Sequence, residues 1–205
     1  MTHPFNLDII FQAIIFATRK HHGQVRKGEL AAPYIIHPLA VAREIFTTGQ
    51  VDDPQVLVAA ILHDTLEDTD TKPEEIRSLF GEEVLNIVLE VSDDKSQEKM
   101  CRKQLQVINA PNLSYPARIV KLADKLINCR DILYFPPYKW PLTRRQEYIQ
   151  WSADVIAQIR GTNANLEAAF DELLIKAQAR LEFHLEPFEL VDNRPWGPGA
   201  TDKCA

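Results

Sequence analysis

Asp53-Pro54-Gln55-Val56-Leu57-Val58-Ala59-Ala60-Ile61-Leu62-His63-Asp64 is the stretch that decides the fold. A carboxylate followed by proline is a helix-start signal, because Asp caps free N–H groups and proline fits the first helical position. Val56–Leu62 then has no polar face, which makes it a central helix buried on every side. Closing such a helix with His63 and Asp64 is costly unless something satisfies both polar groups.

Working outward, Leu7–Lys20 has apolar residues at 7, 10, 11, 14 and 15, the spacing of an amphipathic helix. Lys72-Pro73-Glu74-Glu75 opens a short helix that Gly81 stops, and Glu82–Ser92, Gln97–Asn109 and Ser114–Leu133 read as three more. Tyr134–Pro141 carries three prolines in eight residues and cannot be helical. Thr143 is expected to cap a helix running to about Arg160, ended by Gly161. Thr162 is expected to cap the last one, Asn163–His184. The pattern predicts an all-α bundle of about eight to ten helices in a single domain spanning 1–184. An irregular C-terminal tail, 185–205, follows, lying on the surface or disordered.

The chain has 205 residues, 45% apolar and 25% charged, with 23 basic residues, 29 acidic ones and a net charge of −6. That composition excludes a disordered polyelectrolyte and a disulfide miniprotein. No apolar run approaches the ~20 residues of a membrane-spanning helix, and Met1-Thr2-His3-Pro4 lacks the basic start of a signal peptide. Neither a membrane nor a nucleic-acid partner is expected, the latter because of the acidic balance. Cys101, Cys129 and Cys204 form no C-x-x-C pair, so reduced thiols and a cytoplasmic setting are expected. The sequence does not set the oligomeric state.

Four residues carry the chemistry. His37 precedes Pro38 and is expected in a turn just before a helix. His63 and Asp64 close the buried helix. Asp124 sits mid-helix in Ile119–Asn128, with Asn128 one turn on. Two imidazoles and two carboxylates suit a borderline-to-hard divalent cation, and without thiolates a structural zinc site is disfavoured. On a continuing helix Glu67 would share a face with His63, and Asp68 with Asp64. Carboxylates beside a cation can deprotonate water. Asp64–Glu75 holds six acids and one base, whereas Arg19–Lys27 holds four bases and no acid. Lys121, Lys125 and Arg130 flank Asp124, and basic groups over a metal site suit a phosphorylated substrate. The plainer readings are a solvated face for Lys121 and Lys125, an acidic loop for Asp64–Glu75, and helix-end cations for His21, His22 and His184.

Together, His21-His22-Gly23-Gln24-Val25-Arg26-Lys27, Pro33-Tyr34-Ile35-Ile36-His37-Pro38, Ala60–Thr69 and Val120–Asn128 occur in an order that resembles the HD-domain hydrolases of the RelA/SpoT type. The resemblance is strongest to the small stand-alone, metazoan-type alarmone hydrolases, and Ser92-Asp93-Asp94-Lys95, Arg144–Tyr148 and Gly161-Thr162-Asn163 extend it. It implies removal of the 3′-pyrophosphate from guanosine tetra- or pentaphosphate. It implies His37, His63, Asp64 and Asp124 as ligands of one divalent ion, typically Mn²⁺, with Glu67 and Asp68 activating water. Arg26 and Lys27 would lie along the guanosine and phosphates and Asn128 near the nucleoside, while Lys95, Lys121, Arg144 and Tyr148 would contact phosphate or ribose. The tail is too short for the synthetase domain of the long bifunctional enzymes. Competing expectations are another nucleotide phosphohydrolase activity, such as removal of the 2′-phosphate from NADPH, or a non-catalytic nucleotide sensor.

Overall fold

Helix α3 (Pro54–Leu62) is the hub of the bundle, with every residue from Val56 to Leu62 buried. Asp53 caps it, its side chain accepting from the Gln55 N–H at 2.8 Å. In this computed structural model, which describes residues 7–28, 31–186 and 196, the hub is enclosed by α1 (Leu7–Lys20), α2 (Ile36–Thr47), α6 (Glu82–Val91) and α8 (Tyr115–Tyr134). Around these lie α4 (Thr65–Asp68), α5 (Pro73–Phe80), α7 (Lys99–Asn109), α9 (Leu142–Ala157) and α10 (Ala164–Leu181). Among the described residues there is no strand, only two isolated bridges, Val25 with Pro33 and Gly28 with Pro137. No described helix is long and apolar enough to cross a membrane.

α8 is the long central spoke, starting where the Ser114 side chain accepts from the Ala117 N–H. Ile119, Leu122, Ala123 and Leu126 are fully buried along it, and Asp124, Lys125, Asn128 and Asp131 face the site. Leu122→Ala leaves a cavity at a position with no exposure and is expected to cost about 2–5 kcal/mol. Urea unfolding monitored by circular dichroism measures it.

Several boundaries differ from expectation. α2 begins at Ile36, so His37 and Pro38 lie inside its first turn rather than before it. First-turn N–H groups have no intrahelical partner, so proline removes nothing there. Asn163, not Thr162, caps α10, its side chain accepting from the Leu166 N–H at 3.0 Å, and the helix ends at Leu181 with Glu182 left-handed. α9 starts at Leu142, with Thr143 inside it. His21 is buried rather than solvated, its Nδ1 2.8 Å from Gln24 Oε1. Cys129 is a buried free thiol, but Cys101 is disulfide-bonded, against the expectation of reduced cysteines. Cys204, the N-terminal Met1–Asn6 and most of the 185–205 tail lie outside the described residues.

Candidate metal centre and active site

The helix does not continue through His63 and Asp64. α3 stops at Leu62 and α4 restarts at Thr65, whose hydroxyl donates to the Leu62 carbonyl at 2.7 Å. The interruption turns both side chains inward while the Asp68 N–H still bonds the Asp64 carbonyl at 2.8 Å. α2 brings His37 and α8 brings Asp124 to the same point.

The four donor atoms form a closed ring in which nitrogen and oxygen alternate. His37 Nε2 is 3.1 Å from Asp124 Oδ1, which is 3.6 Å from His63 Nε2. His63 Nε2 is 3.1 Å from Asp64 Oδ2, which is 3.6 Å from His37 Nε2. Ligand bonds of about 2.1 Å place neighbouring donors ~3 Å apart around one ion, so the ring has the dimensions of a single-cation site. The tautomer agrees. His63 Nδ1 faces the Ala60 carbonyl at 2.8 Å, leaving Nε2 buried, directed into the ring and without a hydrogen-bond partner. Burial works to raise the Asp64 carboxyl, but His63 and then His37 outweigh it and hold it well below the usual carboxylate range. Burial likewise opposes ionisation of Asp124, and the His37 and His63 imidazoles beside it outweigh that and hold it well below the usual carboxylate range. Two carboxylate oxygens alternating with two imidazole nitrogens are a donor set suited to a divalent cation.

Outer groups hold the ring in place. Asn128 donates to Asp124 Oδ1 at 2.6 Å and accepts from Arg26 Nη2 at 3.2 Å. The Tyr34 hydroxyl donates to Asp64 Oδ2 at 2.7 Å and reaches Asp68 Oδ2 at 3.4 Å.

His37, Asp64 and Asp124 of the ring form one wall of a cavity of about 1180 Å³, which is also lined by Glu67, Asp68, Arg26, Lys27, Lys95, Arg144, Tyr148 and Asn128. Glu67 accepts from the Asp93 N–H at 3.2 Å and lies 3.5 Å from Arg102. Its carboxyl is pushed above the ordinary glutamate value, first by burial and then by the Asp93 charge. Asp68 is held by Lys95. Arg26 pairs with Asp131 at 2.5 Å, and Arg144 stacks 4.0 Å over the Trp140 ring.

Lys121, expected among the substrate contacts, is not in this cavity. Its ammonium is buried and donates to the Val91 carbonyl at 2.9 Å. One helical turn separates it from Lys125, which does line the cavity. Neither is the solvated lysine of the plainer reading. The sequence reading missed Tyr34, although it stands in the quoted Pro33–Pro38 string. It also missed Lys99, Arg102, Lys103 and Gln106, whose spacing on α7 puts them on one face toward the cavity. The Pro-aromatic segment closes the rim, with the Tyr138 N–H bonded to the Lys27 carbonyl at 3.0 Å. The acidic Asp64–Glu75 run is balanced from α1, where Lys20 bonds Asp70 at 3.2 Å and Glu75 at 3.1 Å.

Comparison with known proteins shows the family. The HD domain family matches residues 13–146. Guanosine-3′,5′-bis(diphosphate) 3′-pyrophosphohydrolase MESH1 of Xenopus tropicalis is 49% identical over 82% of this chain and 93% of its own length. The Homo sapiens protein of the same name is 47% identical over 80% of this chain and 92% of its own. A solved structure described as a metazoan ortholog of SpoT that hydrolyses ppGpp superposes with a TM-score of 0.81 at 41% identity, covering 86% of this chain and 98% of that one. The chain therefore belongs to the HD-domain family, within the group of RelA/SpoT-type alarmone hydrolases that includes the small metazoan proteins.

Proposed function

We infer that this protein is a guanosine-3′,5′-bis(diphosphate) 3′-pyrophosphohydrolase, with residues 1–184 as its catalytic domain. The observation that carries the reading is the ring of two imidazole nitrogens and two carboxylate oxygens, set between a raised-pKa carboxylate and a row of cations in one nucleotide-sized cavity. His37, His63, Asp64 and Asp124 would hold one divalent ion, and their mixed N/O chemistry fits Mn²⁺. When bound, such an ion lowers the pKa of water and neutralises phosphate charge.

Glu67 is the general base. It takes a proton from the attacking water as the new oxygen–phosphorus bond forms at the phosphorus next to the ribose 3′ oxygen. The bond from that phosphorus to the 3′ oxygen breaks, the oxygen recovers a proton, and pyrophosphate leaves with GDP or GTP. Asp68 supports the step by holding Lys95, which also lies 3.9 Å from Glu67. Phosphoryl chemistry of this kind depends on positioning and charge stabilisation. Arg26, Lys27, Arg144 and Tyr148 line the space where the nucleotide would lie.

The test is a nucleotide panel with purified protein and Mn²⁺: guanosine tetraphosphate, guanosine pentaphosphate and NADPH. Pyrophosphate release from the guanosine compounds, with the larger kcat/KM, is expected. Preferred release of phosphate from NADPH would move the function to a 2′-phosphatase. Tight binding with no turnover would make the protein a nucleotide sensor.

A further inference from the structure

Four of the eight cations that line the cavity have carboxylate partners. Arg26 pairs with Asp131, Lys95 with Asp68, Arg102 with Glu67 and Lys125 with Asp124. Lys103 does not, for among the described residues no carboxylate pairs with it. Its amine is held by π faces instead, 4.8 Å from the Trp151 ring centroid, 4.8 Å from that of Trp196 and 5.8 Å from that of Tyr148. Trp151 is locked in this position, since its Nε1–H donates to the Lys103 carbonyl at 2.9 Å. Lys103, Tyr148 and Trp151 all line the cavity.

Trp196 is remote in sequence and comes from the C-terminal segment. It is only 4% exposed, and its Nε1–H donates at 2.8 Å to Oδ2 of Asp154, a buried residue of α9. Gln150, one turn back on α9, donates to the other Asp154 oxygen at 2.9 Å and bonds both backbone groups of Glu186. The chain leaving α10 is thus fastened along α9 as far as Glu186, and Trp196 is seated on the same helix. A surface tail would need neither a buried indole nor a buried acceptor for it.

We propose that Trp196 closes an aromatic cage around Lys103 and so positions that ammonium as a binding cation for the phosphates of the nucleotide substrate. Trp196 is the positioning residue, and Lys103 makes the contact. The charge balance supports this arrangement. An ammonium among rings has lost hydration that cation–π attraction only partly replaces, and the side left open is the cavity. The groups facing it are Lys99 on its own helix, Lys125 on α8, and Glu147 and Arg144 on α9. Burial first, then Lys99, bring the amine down to about 8. A multiply charged phosphate satisfies what three cations and one carboxylate leave unbalanced. The proposal rests on the phosphohydrolase reading, and its test separates the two.

The variants are Trp196→Ala, Trp196→Leu, Trp196→Phe and Lys103→Met in the full chain. In Trp196→Ala and Lys103→Met, KM for guanosine tetraphosphate is expected to rise about five- to tenfold, a loss of the size that cation–π positioning allows, while kcat stays within about twofold. The double variant should be no worse than Lys103→Met alone. Trp196→Leu fills the apolar seat without a π face and should match Trp196→Ala, whereas Trp196→Phe should recover most of the affinity. Two readouts need no turnover: titration of the Lys103 side chain by NMR, and calorimetry with inorganic pyrophosphate. Lys103 should titrate lower in Trp196→Leu, because an apolar group replaces a π face that favoured the ammonium, and pyrophosphate should bind more weakly. If the wild type releases no pyrophosphate from the nucleotide, the functional reading fails alone and these two readouts still decide the cage. Unchanged KM, pyrophosphate affinity and Lys103 titration in Trp196→Leu, or additive effects in the double variant, would overturn it.

Discussion

Asp124→Ala is expected to abolish both cation binding and turnover, and Asn128→Ala to weaken the first without removing it. Asp124 Oδ1 is one of the two oxygens that link the imidazoles, 3.1 Å from His37 and 3.6 Å from His63. Removing it opens the ring and leaves Asp64 as the sole carboxylate beside two histidines. Among the described residues Asn128 hydrogen-bonds Asp124, at 2.6 Å, and the Arg26 guanidinium. Loss of such an outer partner typically costs 10–100-fold in metal affinity or activity. Calorimetric titration with Mn²⁺ should therefore show no binding for Asp124→Ala and a 10- to 100-fold weaker affinity for Asn128→Ala. Turnover should fall by more than ~10³-fold in the first, since water activation and charge neutralisation are both lost. Equal metal affinity in Asp124→Ala and the wild type would remove Asp124 from the ligand set.

How far the sequence foretold this site follows the range of the interactions involved. The all-apolar run of α3 and the Asp124–Asn128 pair were legible because both are local: one is a face pattern, the other an i, i+4 spacing. The break at His63 was not legible. It depends on the Thr65 hydroxyl competing for the Leu62 carbonyl, and Thr65 followed by Leu66 reads equally well as continued helix. Lys121 and Lys125 look alike in sequence. Only the packing of α8 sends one ammonium to the Val91 carbonyl and the other to the ring. Tyr34 reaches Asp64 across thirty positions of chain, and Trp196 reaches Asp154 across forty-two. Contacts of that span leave no periodicity behind. The family pattern pointed to the four residues that the structure brings into one ring, and the α7 cations escaped notice because Lys99, Arg102 and Lys103 read as an ordinary polar helix face.

Glu67→Gln separates the metal from the proton. The amide keeps the length of the side chain and an oxygen to accept the Asp93 N–H, which bonds Glu67 at 3.2 Å, so the loop after α6 should stay in register. Mn²⁺ affinity should change by no more than about threefold, because no ring atom is lost, whereas kcat should drop by 10²–10⁴-fold, the usual contribution of a positioned base. Loss of the metal together with turnover would recast Glu67 as a ligand. The pH profile adds a second check whose sign is fixed. A base must be unprotonated, so kcat/KM falls as pH drops through its pKa. Burial, followed by the Asp93 carboxylate, raises that pKa above the ordinary 4.5, while the Asp93 N–H opposes them. The acid limb of the wild type should accordingly lie above 4.5. Asp93→Asn keeps the N–H and removes the repelling charge, so its limb should move to lower pH. A limb that stays in place in Asp93→Asn would show that some other group accepts the proton.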